Sequence, residues 1–420
     1  MPIFTGAFIF MQQQELIPHL FRTEYRKIVA VLCKRFGIAA IETAEDIASD
    51  TFLTAAQSWA LGSIPPNPAA WLHSVAKNKA VNYLRRTQHF NQQIAPALQH
   101  DSQEATEADI DLSPQNIHDS QLQMMFAICH PAIPPEAQVG LSLRILCGFG
   151  IEEISDAFLT SKDTINKRLF RAKEKLRELQ LPIALPGQTE IDKRLAAVLT
   201  TIYLLFNEGY YSVSQDTTLR RELCFEAMRL CNMLVESPAT NRPPVNALLS
   251  LMCFHASRFD ARIGENGELI LYHEQDTSRW NADLISQGSY FLHCASTGRQ
   301  LSTYHLEAAI AWWYTRKEDT QDKWEHILQL YNQLLQIAYT PVAALNRTYA
   351  LSRANGKSAA IAEAEKLQLT NNHFYFALLG ELYAGINNQL ATQHLERALA
   401  LAKTNADKQV LQKKLERLQG

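Results

Sequence analysis

The chain has 420 residues, too many for one hydrophobic core, so its length predicts two or three domains. Lys and Arg total 40 against 43 Asp and Glu, a formal net charge of −3. This balance excludes overall basicity as a means of binding nucleic acid, so any such site must be a local patch. Only 16 glycines and 16 prolines interrupt long stretches rich in Ala, Leu, Glu, Gln and Lys, which favours an all-α fold.

Cysteine usage and the N-terminus set further limits. The seven cysteines are scattered and never spaced as CxxC, which argues against disulfides and zinc knuckles and favours a reducing cytoplasm. Cys129 with His130 could supply half of a metal site, but no second pair at a suitable spacing follows, so we expect no metal or other cofactor. The apolar start "MPIFTGAFIFM" lacks a basic segment and the ~20 residues of a membrane span. We expect residues 1–13 to form a tail without membrane contact, with Met11 an equally good start.

Helical periodicity runs through residues 14–90, with breaks at "GIAAIET" and "GSIPPNP". The prolines of the second break end one helix, and Asn67 or Pro68 opens the next. Before this break, "AEDIASDTFLTAAQSW" combines an acidic, polar face with an apolar one. The apolar side is expected to hold Ile47, Phe52, Leu53 and Ala56. The acidity of the other face predicts contact with a protein rather than with DNA.

The next segment, "NPAAWLHSVAKNKAVNYLRRTQHF", mixes cations and aromatic rings without a single acid. This mixture suits partly single-stranded nucleic acid, because rings stack on unpaired bases while cations follow the backbone. The alternative is an ordinary core helix, with Trp71 and Val75 buried and the Lys and Arg side chains reaching solvent. The residues alone favour neither interpretation.

Residues 91–119 contain six acids, and no Lys or Arg occurs between Arg86 and Arg144. Without an apolar period, this segment predicts an acidic linker. Helical periodicity returns at Gln121, and residues 120–181 follow the order helix, Gly-containing turn, short helix, turn and long helix. This order is typical of a helix-turn-helix domain.

The long helix is "SKDTINKRLFRAKEKLRE". Thr160 and Asp163 fit a capping box, so the helix is expected to begin near Ser161 and run for about 27 Å. Its expected buried side consists of Ile165, Leu169, Ala172 and Leu176. A solvated helix with i, i+4 ion pairs is the alternative to DNA contact. Because the cations outnumber the acids and a major groove admits one helix, we favour DNA contact.

The C-terminal part of the chain is helical again and contains a repeat. Five residues recur 34 positions later, which is the TPR period. The pairs are Leu345 and Leu379, Tyr349 and Tyr383, Ile361 and Leu395, Ala364 and Ala398, and Leu367 and Leu401. A TPR stack offers a concave surface for peptides or helices, and pure scaffolding is the alternative. We predict a TPR-like extension over residues 190–420, clearest over residues 322–403.

An enzymatic interpretation has less support. The candidates for an acid–base site are Glu208, His273, Asp276 and Arg279. An interdomain ion pair explains Arg279 and Asp276 as well, and no Gly-rich phosphate loop or Ser-His-Asp arrangement can be assembled. We expect a protein that is not an enzyme.

Together these segments resemble the extracytoplasmic-function (ECF) sigma factors of the sigma-70 superfamily, in the branch with a TPR-like C-terminal extension. "LFRTEYRKIVAVLCKRFG", "AEDIASDTFLTAAQSW" and "NPAAWLHSVAKNKAVNYLRR" resemble sigma domain 2, and "LSLRILCGFGIEEISDAFLTSKDTINKRLFRAKEKLR" resembles domain 4. "RLAAVLTTIYLLFNEGYYS" and "EQDTSRWNADLI" are similar to signatures of the extension. The resemblance implies a helical domain 2 over 14–90, a linker over 91–119, a helix-turn-helix domain 4 over 120–181 and the extension after it. It implies a cytoplasmic subunit that directs core RNA polymerase to promoters.

The resemblance also assigns roles to residues. The beta-prime clamp helices of polymerase would bind Asp46, Ser49, Asp50, Phe52 and Thr54. The minus-10 element would meet Trp71, His73, Ser74, Lys77, Asn78, Asn82, Arg85 and Arg86, with a flipped base near Ile64 to Asn67. The minus-35 element would meet Ser161, Lys162, Thr164, Asn166, Lys167, Arg168 and Arg171. The beta flap is a further expected contact of polymerase, and the acidic linker would pass through the RNA exit channel.

Two alternatives from other classes stay open. One is a stand-alone helix-turn-helix regulator whose TPR-like domain senses a ligand or peptide. The other is a TPR adaptor with no role at nucleic acid. Within the favoured interpretation, the covalent extension is expected to regulate the sigma domains and to meet a peptide or protein partner.

Overall fold

The computed structural model describes residues 3–61, 64–94, 110–158, 160–210, 217–262, 264, 270–298, 301–402 and 405–419. Helices account for most of these residues, and no β-strand occurs among them, which confirms the all-α prediction. The chain divides into two compact units, Met1–Thr240 and Asn241–Gly420.

The first unit contains the helices that carry most of the predicted sites. In chain order they are α1 (Ile3–Phe36), α2 (Ile41–Leu61), α3 (Pro68–Ile94), α4 (Pro114–Ile128), α5 (Pro135–Leu141), α6 (Ile151–Ala157), α7 (Lys162–Leu179), α8 (Gln188–Tyr210) and α9 (Thr217–Glu236).

Helix α1 is the centre of this unit. Residues 28–33 are all buried, and a helix that is apolar on every side must be surrounded by other elements. Helices α2, α3 and α4 pack around it. Gly37 ends α1 with a φ of +87°, a conformation that glycine adopts without steric cost.

Two boundaries differ from those predicted. Helix α1 already begins at Ile3, so most of the expected N-terminal tail is helical. Helix α4 begins at Pro114 rather than at Gln121, because Ser113 caps it and proline is favoured in the first turn. The acidic linker is therefore shorter than predicted, and its residues 95–109 lie outside the described part of the chain.

The helix-turn-helix segment consists of α5, a π-helical turn over Ser142–Leu146, α6 and α7. Gly148 follows the turn with a φ of +77°, and a Cβ atom there would lie 2.8 Å from the carbonyl oxygen of Arg22 on α1. Glycine therefore allows this segment to lie directly against α1. The side chain of Glu153 accepts a hydrogen bond from Gly150 N at 2.7 Å and so stabilises the start of α6.

Helices α8 and α9 pack on each other and belong to the first unit. The sequence predicts a single extension over residues 190–420. That segment instead starts with two helices that are part of the compact unit of α1 to α7.

The second unit continues the helical chain. Its helices are α10 (Pro243–Ala256), α11 (Phe259–Arg262), α12 (Ala282–Ala295), α13 (Thr303–Trp313), α14 (Gln321–Ile337), α15 (Pro341–Asn355), α16 (Lys357–Leu367), α17 (His373–Tyr383), α18 (Asn388–Leu401) and α19 (Asn405–Gln419).

The residues that recur with the 34-residue offset fall on corresponding helices of this unit. Leu345 on α15 corresponds to Leu379 on α17, and Ala364 on α16 corresponds to Ala398 on α18. All four side chains are buried. Gly380 lets α17 approach α18 closely, since a Cβ atom there would lie 2.6 Å from Cγ of Leu395.

Candidate nucleic-acid interface

Helix α7 has the amphipathic character that its spacing predicts. Ile165, Leu169, Ala172 and Leu176 are all buried. The cap is one residue later than predicted: the side chain of Ser161, not that of Thr160, accepts a hydrogen bond from Thr164 N, at 3.2 Å. The exposed residues of the minus-35 set are Ser161, Lys162, Thr164, Asn166, Lys167 and Arg171.

The cations of α7 differ in how far they are already paired. Lys162 lies 2.7 Å from Glu152, and the guanidinium of Arg168 lies over the ring of Phe158, 5.4 Å from its centroid. Lys167 and Arg171 form no ion pair with any described residue. Together with Asn166 they offer hydrogen-bond donors that no described side chain occupies, which suits phosphate or base contact.

Sequence reasoning missed one exposed side chain on this surface. Phe170 is 58 % exposed and lies on α7 between Lys167 and Arg171. It lies three residues after Lys167 and outside the buried stripe of α7. This spacing is the feature of the sequence that indicates an exposed ring beside the cations. An exposed ring at this place can contact a thymine methyl group in a major groove.

The acidic face of α2 forms a second surface. Asp46, Ser49 and Asp50 are exposed, and Thr54 is half-buried. Phe52, assigned by resemblance to polymerase contact, is only 5 % exposed and lies 5.0 Å from the ring of Phe21, measured between centroids. It is therefore a core residue, as its place on the apolar side of the helix predicts.

Leu53 shows the opposite error. It was placed on the apolar side, but it is 55 % exposed. Asp46, Asp50 and Leu53 follow the spacing i, i+4 and i+7, so they share one stripe of the helix. The stripe thus combines carboxylates with an apolar contact residue. The side chain of Asp50 already pairs with Lys79 on α3.

The basic helix α3 carries the predicted minus-10 set, and the set is divided between core and surface. The ring of Trp71 lies 5.4 Å from that of Trp59, and His73 turns toward Glu24 on α1. Asn67 caps the helix, because its side chain accepts a hydrogen bond from Ala70 N at 3.0 Å. Lys77 is half-buried, whereas the exposed members are Ser74, Asn78, Asn82, Arg85 and Arg86.

Glu24 is the electrostatic anchor between α1 and α3. Burial raises the pKa of its carboxyl, but hydrogen bonds from His73 and Lys27 outweigh burial and lower this pKa to about 2. The nearest atoms are His73 Nε2 at 2.9 Å and Lys27 Nζ at 2.6 Å. The pairing fixes the orientation of α3 and directs the half-buried side chain of His73 toward α1.

The residues weighed for an acid–base site are divided between the two units. Burial raises the pKa of Glu208, which lies in the first unit, whereas Asp276 caps a turn of the second unit by accepting from Ser278 N at 2.9 Å. Among the described residues, Asp276 and Arg279 form no ion pair, so the predicted interdomain pair is wrong.

Burial raises the pKa of the Cys129 thiol to about 12, which opposes the thiolate form that a metal needs. The described residues contain no group of three metal-ligating side chains. No helix in the described part of the chain is both long and apolar enough to span a bilayer.

Residues 20–90 match Sigma-70 region 2, and residues 194–296 match a family of unknown function, DUF6596. The first match contains the second half of α1, all of α2 and all but the last turn of α3; α2 and α3 carry the acidic and basic surfaces. An uncharacterized protein of Rhizobium meliloti is 33 % identical over 375 residues, which cover 87 % of this chain and 87 % of that protein. No solved structure matches the chain. The chain therefore belongs to the same family as the Rhizobium meliloti protein, and its residues 20–90 form a region 2 of the sigma-70 type, which supports a role in transcription initiation.

Proposed function

We propose that the protein is a sigma factor of the ECF type, which binds core RNA polymerase, recognises and melts a promoter, and catalyses no covalent step itself. The observation that carries this proposal is the pairing of two surfaces on one helical module. An acidic stripe on α2 suits a protein partner, and a basic, polar face on the adjoining α3 suits nucleic acid.

The proposal assigns the minus-10 element to α3. Asn78 and Asn82 are exposed one turn apart, and Arg85 and Arg86 extend the surface with two cations. Amide groups can hydrogen-bond the edges of unpaired bases, while arginines meet the backbone. Trp71 and His73 are half-buried, pack against Trp59 and Glu24, and would hold this surface in place beside any DNA contact of their own.

The minus-35 element is assigned to α7. The proposal rests on its helix-turn-helix frame, its buried stripe and the unpaired Lys167 and Arg171. Base contact falls to Asn166 and residues near the helix start, and phosphate contact falls to the two cations. The beta flap of polymerase would hold this domain at the upstream end of the promoter.

The helices of the second unit are proposed to be a TPR-like regulatory domain. Their 34-residue repeat supports this, as do the side-by-side helix pairs α15–α16 and α17–α18. The domain would bind a peptide or protein signal and change the activity of the sigma domains attached to it. Deleting residues 241–420 should then alter promoter-dependent transcription.

Co-purification with core polymerase tests the function and separates it from that of a stand-alone regulator. We expect Asp50→Arg to abolish polymerase association while duplex DNA binding stays intact, because it reverses one charge on the α2 stripe. Glu396→Arg is the matched control, since Glu396 is an exposed acid on α18. Retention of core polymerase by Asp50→Arg, or no association of the unaltered protein, would contradict the proposal.

A further inference from the structure

Glu45 on α2 joins region 2 to the helix-turn-helix segment. Its side chain is 9 % exposed and accepts hydrogen bonds from Nε of Arg144, at 3.1 Å, and from Nζ of Lys173 on α7. The hydroxyl of Tyr25 on α1 lies 3.5 Å from the same carboxylate. A buried carboxylate needs its cationic partners, so this contact holds α7 against α1 and α2.

A second set of ion pairs ties α9 to α1. Arg22 pairs with both Glu153 on α6 and Glu222 on α9. One turn further along both helices, Arg26 lies 2.5 Å from Glu226. Three helices from distant parts of the sequence therefore meet at two arginines of α1.

Arg229 extends this contact to the helix-turn-helix segment. It donates hydrogen bonds to Glu226 at 2.8 Å and to the carbonyl oxygen of Leu146 at 2.7 Å. Burial raises the pKa of Glu226, but Arg229 and Arg26 outweigh burial and lower it, so the carboxylate stays ionised. Helix α9, which lies within the DUF6596 match, thus contacts both modules through charged groups.

The resulting arrangement is too compact for promoter binding by both modules. Elements centred at minus-10 and minus-35 are about 25 base pairs apart, which is roughly 85 Å at 3.4 Å per base pair. A compact unit of 240 residues has a radius of gyration of only about 18 Å. Arg177 on α7 also lies 2.8 Å from Glu42 on α2, so the two modules are in direct contact.

We propose that Glu45 and the α9 carboxylates Glu222 and Glu226 form an interdomain latch that keeps the two DNA-binding modules closed until core polymerase opens it. This inference rests on the proposed function. It assigns the closing role to α9 in the first unit, rather than to the repeats of the second unit.

The position of Glu42 explains why polymerase would open the latch. Glu42 and Asp46 lie one turn apart on α2. A polymerase surface that binds the acidic stripe would therefore reach Glu42, whose carboxylate pairs with Arg177 in the closed state. A ligand shifts an equilibrium only by its differential affinity for the two states. Polymerase would bind the open state more tightly than the closed state, because the closed state covers part of the surface on which polymerase docks.

The test is a distance measurement between spin labels on α3 and α7 in the full-length protein. Cysteines introduced at the exposed positions Thr87 and Asp163 carry the labels, and Cys294→Ser removes the half-buried native thiol; the other six native cysteines are buried. We expect one short distance in the free protein and a longer one with core polymerase. Glu222→Arg combined with Glu226→Arg should lengthen the distance without polymerase and raise the apparent affinity for core polymerase about tenfold.

The matched control restores the charge pairs. Glu226→Arg combined with Arg26→Glu exchanges the charges of one pair, leaves Arg22 with its partners Glu153 and Glu222, and should keep the short distance. Circular dichroism monitors folding, and if the α9 variant loses helix, Glu45→Gln, which keeps the side-chain size, replaces it. The proposed latch is contradicted if the α9 variant keeps the short label distance in the absence of polymerase. It is also contradicted if the unaltered protein keeps the short distance when bound to polymerase. The distances measured in the free protein test the latch even if no form of the protein binds polymerase. Failure of every form to bind polymerase would refute the proposed function instead.

Discussion

His73 on α3 donates a hydrogen bond from Nε2 to Oε2 of Glu24 on α1, over a distance of 2.9 Å. Glu24 is buried, and Lys27 contacts its other oxygen. The contact fixes the proposed minus-10 helix on the central helix of the first unit. It also makes the packing of α3 depend on the ionised form of one carboxyl group.

This dependence predicts a loss of stability in acid. The pKa of Glu24 is about 2 in the folded protein against an ordinary value of 4.5. Because the folded pKa is the lower one, the stabilisation is complete above about pH 5 and is lost as the pH falls toward 2. The difference corresponds to about 3 kcal/mol. Unfolding followed by circular dichroism should show a steeper loss for the native chain than for Glu24→Gln between pH 5 and 3, and equal slopes would contradict the assignment.

The unpaired cations of α7 predict a change in the salt dependence of DNA binding. Lys167→Glu with Arg171→Glu should abolish duplex binding, or make the slope of log K against log salt shallower by about 1.8, since each phosphate contact contributes about 0.9. Fluorescence anisotropy at several salt concentrations measures this slope. Lys366→Glu on α16 is a control, because Lys366 is also an exposed cation. An unaltered slope in the double variant would exclude α7 as a phosphate-binding helix.

Phe170 predicts a change in DNA binding without a change in stability. Phe170→Ala should alter the free energy of unfolding by less than about 0.5 kcal/mol, because the ring is mostly exposed. Loss of its apolar contact with a base should weaken specific duplex binding by about 1 kcal/mol, roughly fivefold. Leu301→Ala, at another exposed apolar residue, should change neither quantity. Unchanged affinity in Phe170→Ala would place the ring outside the interface.

Gly380 predicts a local weakness in the second unit. A Cβ atom there would lie 2.6 Å from Leu395 Cγ and 3.2 Å from the carbonyl oxygen of Ala391, so Gly380→Ala should destabilise the α17–α18 pair by about 1–3 kcal/mol. Hydrogen exchange of peptides from these helices measures the effect. Gly187→Ala is the matched control, since nothing lies within 4 Å of its built Cβ. Equal hydrogen-exchange protection of α17 and α18 in the two variants would show that these helices accept a Cβ atom at position 380 without loss of stability.

The sequence predicted features that depend on local spacing. The buried stripe of α7 follows from apolar residues three and four apart, and the helical repeat follows from its 34-residue offset. The environment of Glu45 could not be predicted in this way. Its partners Arg144 and Lys173 lie 99 and 128 residues away, and no local pattern encodes such a distance.

The errors on α2 have a simple cause. Phe52 and Leu53 are adjacent apolar residues, and a helix turns by about 100° per residue, so only one of them can face the core squarely. Spacing relative to Asp46 and Asp50 assigns Leu53 to the surface. The resemblance implies that Phe52 contacts polymerase, but it does not indicate whether Phe52 or Leu53 faces the core.

The measurement that tests the central claim most directly is transcription in vitro with purified core RNA polymerase on a library of genomic fragments. The account predicts transcripts from defined start points that require this protein, and it predicts their loss with Asp50→Arg. If core polymerase with the protein gives the same starts as core polymerase alone, and the two do not associate, the protein does not act as a sigma factor.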